Sequence, residues 1–121
     1  MSIHKHSGLF PKQKASIDYI LKDMKRNNYP WIKKIILFGS CAKNSNKFSS
    51  DVDILFITSN EYTKFKDEMH HVKCVLCGLP DDEYAVVDPK FISEDYFLTQ
   101  QTTFLSNIRK EGVVLWTHNL I

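Results

Sequence analysis

Two aspartates, Asp51 and Asp53, stand two residues apart at the head of the apolar run Ile54-Leu55-Phe56-Ile57. Residues i and i+2 share a face of a β-strand, so both carboxylates project the same way. Their backbone positions then lie roughly 6–7 Å apart, at ~3.3 Å per residue. That spacing lets the oxygens grip one divalent ion or bracket two. Hard oxygen donors suit Mg²⁺ or Mn²⁺, and Mg²⁺ usually completes its shell with water and substrate phosphates. Left bare, such a pair repels itself and one pKa rises.

Ten mostly polar or small residues upstream of Asp51 lead back to Gly39-Ser40. Gly39 closes an apolar run and lets the backbone turn sharply or approach a ligand closely. Ser40 opens a short helical segment, where a hydroxyl and exposed N–H groups can hold phosphate oxygens. Taken singly, Asp-x-Asp is a solvated strand start and Gly-Ser is a capped turn. Taken together, with a strand on either side, they set a phosphate cradle beside a metal site.

Those two elements need strands to carry them. Ile32 to Phe38 holds Ile35-Ile36-Leu37-Phe38, a continuous apolar run that suits a strand covered on both faces. Asp51 to Ile57 is the second strand, and residues 41–50 form a short helical turn and a loop. Before them, Pro11 starts a helix bearing Ile17, Ile20, Leu21 and Met24, stopped by Asn27-Asn28. After them, Ser59-Asn60 precedes a helix from about 62 to 76 with Phe65, Met69, Val72 and Leu76 on one face. Gly78-Leu79-Pro80 ends it. Tyr84 to Val87 is a third strand, and Pro89 limits its run. Ser93 caps a final helix carrying Phe97, Leu98, Phe104, Leu105 and Ile108, and Val113 to Trp116 is a last strand. The order α-β-α-β-α-β-α-β predicts an α/β domain, a small mixed β-sheet with helices packed on it. Residues 1–10 are expected to form an N-terminal arm and 11–121 a single domain.

The chain has 121 residues, 43% apolar and 25% charged, which fits one compact core. No apolar run is long enough for a membrane span, and residues 1–14 lack the h-region of a secretory signal. A net charge of +2 is too small to argue for nucleic acid. Basic residues do gather at Lys12, Lys14, Lys22, Lys25, Arg26, Lys33 and Lys34, which is read as a solvated helix face. Three cysteines, Cys41, Cys74 and Cys77, argue against a disulfide framework and fit a reducing cytoplasm. His70, Cys74 and Cys77 share a helix face, but a structural zinc site draws on more than one element; buried or half-buried thiols are expected instead. Trp31, Trp116 and the set Tyr96, Phe97 and Phe104 are read as packing residues.

Residues 37–55, Leu-Phe-Gly-Ser-Cys-Ala-Lys-Asn-Ser-Asn-Lys-Phe-Ser-Ser-Asp-Val-Asp-Ile-Leu, resemble the nucleotidyltransferase motif of the DNA polymerase beta superfamily, in its short bacterial and archaeal form. Gly39, Ser40, Ala42, Lys43, Ser50, Asp51 and Asp53 match without a gap, and weaker likeness runs over about 12–117. The resemblance implies an Mg²⁺-dependent transfer of a nucleoside monophosphate, AMP foremost, from a nucleoside triphosphate such as ATP to an acceptor hydroxyl. It implies that Gly39 and Ser40 hold the terminal phosphates, Lys43 steadies them, and Asp51 and Asp53 bind metal. Such relatives usually carry a third acid on a neighbouring strand. Asp88 is the candidate, as metal ligand and base. A different register puts Ala85 there and leaves no base; Glu83 is another candidate. Cys41 and Asn44 stand where the family often has Arg and Gly, and Asn44 can take the left-handed conformation a glycine would. The resemblance further implies a helical HEPN-type partner, modified as the toxin of a toxin–antitoxin pair, or a homodimer. The alternative is an inactive nucleotide- or partner-binding module of the same fold.

Overall fold

The structure, a computed structural model, describes residues 8–118, so most of the expected N-terminal arm lies outside the described residues. Helix α1 (Pro11–Asn27) begins with a proline in its first turn, where a missing N–H costs nothing. The Gln13 side chain reaches back to accept from the Phe10 N–H at 3.0 Å. The helix ends at Asn28, whose left-handed φ of 47° lets its N–H bond the Met24 carbonyl.

Strands β1 (Ile32–Phe38), β2 (Val52–Thr58), β3 (Val87–Ser93) and β4 (Val113–Thr117) form one mixed sheet in the order β3-β2-β1-β4. β1 pairs antiparallel with β2 and β4, and β2 pairs parallel with β3. Period-two alternation sorts their side chains onto two layers. Ile35, Leu37, Ile54 and Phe56 pack under Ile17, Ile20 and Met24 of α1 and under Val72 and Leu76 of α3 (Lys66–Cys77). Ile36, Leu55 and Ile57 pack against Ile108 of α5 (Thr103–Glu111), with Phe97 of α4 (Glu94–Thr99) beside them. Helices on both faces explain why the Ile35–Phe38 half of β1 is apolar without a break. Each such aliphatic side chain contributes about 1.5–3 kcal/mol by leaving water. Trp31 is buried and its indole N–H donates to Glu68, tying α3 to the entry of β1.

Three sequence expectations need correction. The third strand runs 87–93 rather than 84–87, passing straight through Pro89. β3 is outermost, and an edge strand can lack a ladder donor on its open side. The single final helix is two. α4 ends at Thr99, and Thr102 starts α5 afresh by accepting from the Leu105 N–H at 3.1 Å. The helix expected from 62 opens as a 3₁₀ turn, Tyr62–Phe65, before α3. The exposures of Cys74, Cys77, Tyr96 and Phe104 also differ from expectation. α3 turns Val72 and Leu76 inward and so leaves both thiols in solvent, while Tyr96 and Phe104 are exposed rather than core. Trp31 and the basic face of α1 are as expected: Lys14, Lys22, Lys25 and Arg26 are solvated. Among the described residues no helix is long and apolar enough to cross a membrane.

Candidate active site

The site is assembled where β1 ends and β2 begins. Because these strands are antiparallel neighbours, Phe38 lies opposite Asp53, and Gly39 follows immediately beside it. Val52 is buried in the layer under α1, so Asp51 and Asp53 on either side of it project to the other face. On the far side of β2, the parallel register sets Asp88 directly against Asp53. Of the three residues weighed for a third acid, Asp88 is the one that the register brings beside Asp53. Ala85 precedes the strand, where its N–H donates to the Lys12 carbonyl and its own carbonyl accepts from Ser16. Glu83 is exposed in the preceding turn.

Charge in this cluster is poorly balanced. Partial burial pushes the Asp53 carboxyl up from its ordinary pKa, and the neighbouring charges of Asp88 and Asp51 push it further. Lys90 pulls the other way, but its Nζ sits 3.9 Å from Asp88 Oδ2 and is half in solvent.

Gly39 is fixed by contact as much as by conformation. Its φ is +75°. A Cβ built there would lie 2.2 Å from Asp53 Oδ2, so the carboxylate occupies the space that any side chain would need. The four-residue helix α2 (Ser40–Lys43) follows, closing on Asn44 at a left-handed φ of 63°, a conformation asparagine tolerates better than most residues. Lys43 is exposed and, with Phe38, Gly39, Phe104, Asn107 and Glu111, lines a cavity of about 170 Å³ beside the bend.

Cys41 is buried with its Sγ 3.5 Å from the Asp51 carbonyl. Burial, then Asp53 and Asp51, push its thiol up to about 11. It stays protonated at neutral pH and is a weak nucleophile. Iodoacetamide at mild alkaline pH is expected to label Cys74 and Cys77 well before Cys41, as read by peptide mass spectrometry. Equal labelling of all three in folded protein contradicts the buried placement.

One contributor carries no local signal in the sequence. Gln13 is fully buried in the first turn of α1. Its Nε2 donates to the carbonyls of Lys47 at 2.8 Å and Ser50 at 3.1 Å, and its Oε1 accepts from Phe10 N at 3.0 Å and Asn46 Nδ2 at 2.8 Å. All its polar capacity is used, and it pins the loop that delivers Asp51. Gln13→Met keeps the volume but orphans these partners. The change is expected to cost about 1–3 kcal/mol and to speed hydrogen exchange across 44–50. Unchanged exchange there means that the loop is held by something else.

Among the described residues, no three acid, histidine or cysteine side chains already converge as a closed metal cage does. The donors nonetheless fit Mg²⁺, which prefers one or two carboxylates plus phosphates and water to an all-protein cage. They are oxygen-only, clustered with like charge, and offset by one lysine. The exposed Cys74 Sγ lies 3.5 Å from His70 Nε2 on α3, a pair of donors from a single helix.

A nucleotidyltransferase structure from Sulfolobus solfataricus, so described provisionally, superposes with a TM-score of 0.59 at 20% identity, covering 96% of this chain and 93% of that one. A toxin–antitoxin structure with AMP-PNP superposes at 0.50 and 20% identity, covering 84% and 73%. The toxin–antitoxin MntA-HepT gives 0.45 at 18% identity, covering 88% and 74%. At these identities the likeness is one of fold. No protein with a curated description matches. The family model for the polymerase beta nucleotidyltransferase domain matches residues 21–120, spanning the bend and all three aspartates. That match covers most of the chain, which therefore belongs to the polymerase beta nucleotidyltransferase family.

Proposed function

We propose that the chain transfers AMP from ATP to a hydroxyl on a partner protein. The observation that carries this reading is the register of Asp53 against Asp88, with Asp51 on the same face and Gly39 in contact. Ser40 supplies a hydroxyl, and the first amides of α2 lack intrahelical acceptors, so both can bind the terminal phosphates. Lys43 adds a mobile positive charge at the cavity rim. Asp88 stands on the outer strand, open to an incoming acceptor, and takes the hydroxyl proton as the oxygen attacks the α-phosphorus. The bond from that phosphorus to the bridging oxygen breaks and pyrophosphate leaves. A divalent ion held by Asp51 and Asp53 would neutralise charge on the phosphate oxygens.

The partner and the adenine nucleotide are taken from the toxin–antitoxin relative solved with AMP-PNP, which shares the fold. A helical HEPN-type protein is the partner we favour over a second copy of this chain, and the free thiols suit a cytoplasmic setting. The open spacing of the acids favours a second reading, a nucleotide-binding module without turnover. ATP labelled at the α-phosphate is incubated with Mg²⁺, this chain and candidate partner proteins, in parallel with γ-labelled ATP. Transfer of the α-label alone supports the enzyme. Transfer of the γ-label overturns the reaction class, and tight ATP binding with no transfer to any acceptor supports the silent module.

A further inference from the structure

A groove of about 700 Å³ runs off the site, and its lining shows what it follows. It is bordered by Asp88, Pro89, Lys90, Phe91 and Ile92, successive residues that point to both faces of the sheet. A cavity touching both faces of one strand lies along that strand's edge. β3 is the outermost strand, so this edge has no ladder partner among the described residues. The opposite wall is one stripe of α3, where Lys66, His70 and Lys73 recur at helical spacing.

The chemistry of the two walls selects an occupant. The strand offers main-chain donors and acceptors in a row, which an extended peptide can satisfy as an added strand. Phe91 on one face and Ile92 on the other are half-buried and give that peptide an apolar flank on each side. Lys66, Lys73 and Lys90 are exposed around it, and of the three only Lys90 has an ion-pair partner among the described residues. At ~3.3 Å per residue, the five bordering residues match about five residues of peptide. A bare polyanion would use the lysines but leave the strand edge and its apolar flanks unanswered.

We infer that this groove is the acceptor's docking track: it binds an extended acidic segment of the partner protein by strand addition to β3, and so leads the acceptor hydroxyl to Asp88. The role in delivery rests on the transfer reaction proposed above; the binding does not.

The test uses the full chain without nucleotide. The probe is a short fluorescent peptide alternating Glu and Val around one Tyr. Its comparators are the same peptide with Lys for Glu, and oligouridylate of similar length. The acidic peptide is expected to bind saturably and to slow hydrogen exchange of amides within 87–93. Lys66→Glu with Lys73→Glu is expected to weaken it about tenfold or more, through lost attraction and new repulsion. Should that double variant fold poorly, Lys66→Gln with Lys73→Gln gives a smaller loss in the same direction. No binding of the acidic peptide, equal binding of the basic one, or binding without protection in β3 overturns the inference. So does oligouridylate displacing the peptide while binding more tightly, which would make the groove a nucleic-acid track. Intact peptide binding with no α-label transfer to any acceptor counts against the enzymatic reading and leaves the groove standing.

Discussion

Asp53→Asn is expected to abolish nucleotide transfer while raising the melting temperature. The two effects share a cause. In the folded chain Asp53 is half-buried beside Asp88 and Asp51, and its carboxyl is held above the usual carboxylate range. A carboxyl that holds its proton more tightly when folded weakens the fold wherever it is ionised. That penalty is complete above its folded pKa, fades as pH falls through that value, and is gone below the unfolded pKa. Asparagine keeps the shape and removes the charge, so it removes the penalty at neutral pH. The parent should therefore lose stability relative to the variant as pH rises: the gap in favour of the variant opens with rising pH and closes in acid. Mg²⁺ at neutral pH should raise the parent's melting temperature and leave the variant nearly unmoved, because ligand bound to the folded state alone stabilises it. On catalysis, losing a ligand that positions phosphate charge costs on the order of a thousandfold, ~4 kcal/mol. Scanning calorimetry across pH, with and without Mg²⁺, reads the first effect, and α-label transfer reads the second. A variant that melts lower at neutral pH refutes the charge argument, and one retaining transfer within about tenfold removes Asp53 from the machinery.

Gly39→Ala is the second large effect, and it acts by space. The new methyl would sit 2.2 Å from Asp53 Oδ2 in a backbone at φ +75°. A left-handed conformation alone costs an L-residue about 1–2 kcal/mol, and the clash adds whatever is needed to displace Asp53 or flatten the bend. The expected outcome is a loss of about 2–3 kcal/mol in denaturant melts and transfer reduced on the order of a hundredfold or more. Gly39→Ala paired with Asp53→Ala should recover much of the lost stability without recovering transfer, since the smaller side chain vacates the contested volume. Strictly additive losses in the double variant would show that the two positions do not touch.

The stretch from Leu37 to Ile57 was legible because its signals are local. A continuous apolar strand, a glycine, and two acids at strand spacing each declare their geometry within a few residues, and the structure has β1 and β2 within a residue of the expected bounds. β3 was misplaced because Pro89 is forbidding only in an inner strand, and whether a strand is inner is decided by topology that no window of sequence contains. The break between α4 and α5 was in principle readable, since Thr102 precedes an apolar-periodic segment as a capping residue does; Phe97-Leu98 and Phe104-Leu105 together imitated one long helix. Asp88 could be named but not registered, because its place depends on how β3 slides along β2. Gln13 was invisible: a polar residue in a first helical turn looks solvated, and apart from Phe10 its partners lie more than thirty positions away, at Asn46, Lys47 and Ser50.

That glutamine has an evolutionary and engineering corollary. Residues 37–55 look like a self-sufficient cassette, yet the loop inside them is moored to a helix that enters the chain before β1. Transplanted into another sheet without an equivalent mooring, the cassette would keep its glycine and acids and lose the tension that aims the first acid. Trimming the chain's leading helix would slacken the same rigging, although no residue of the motif had been touched.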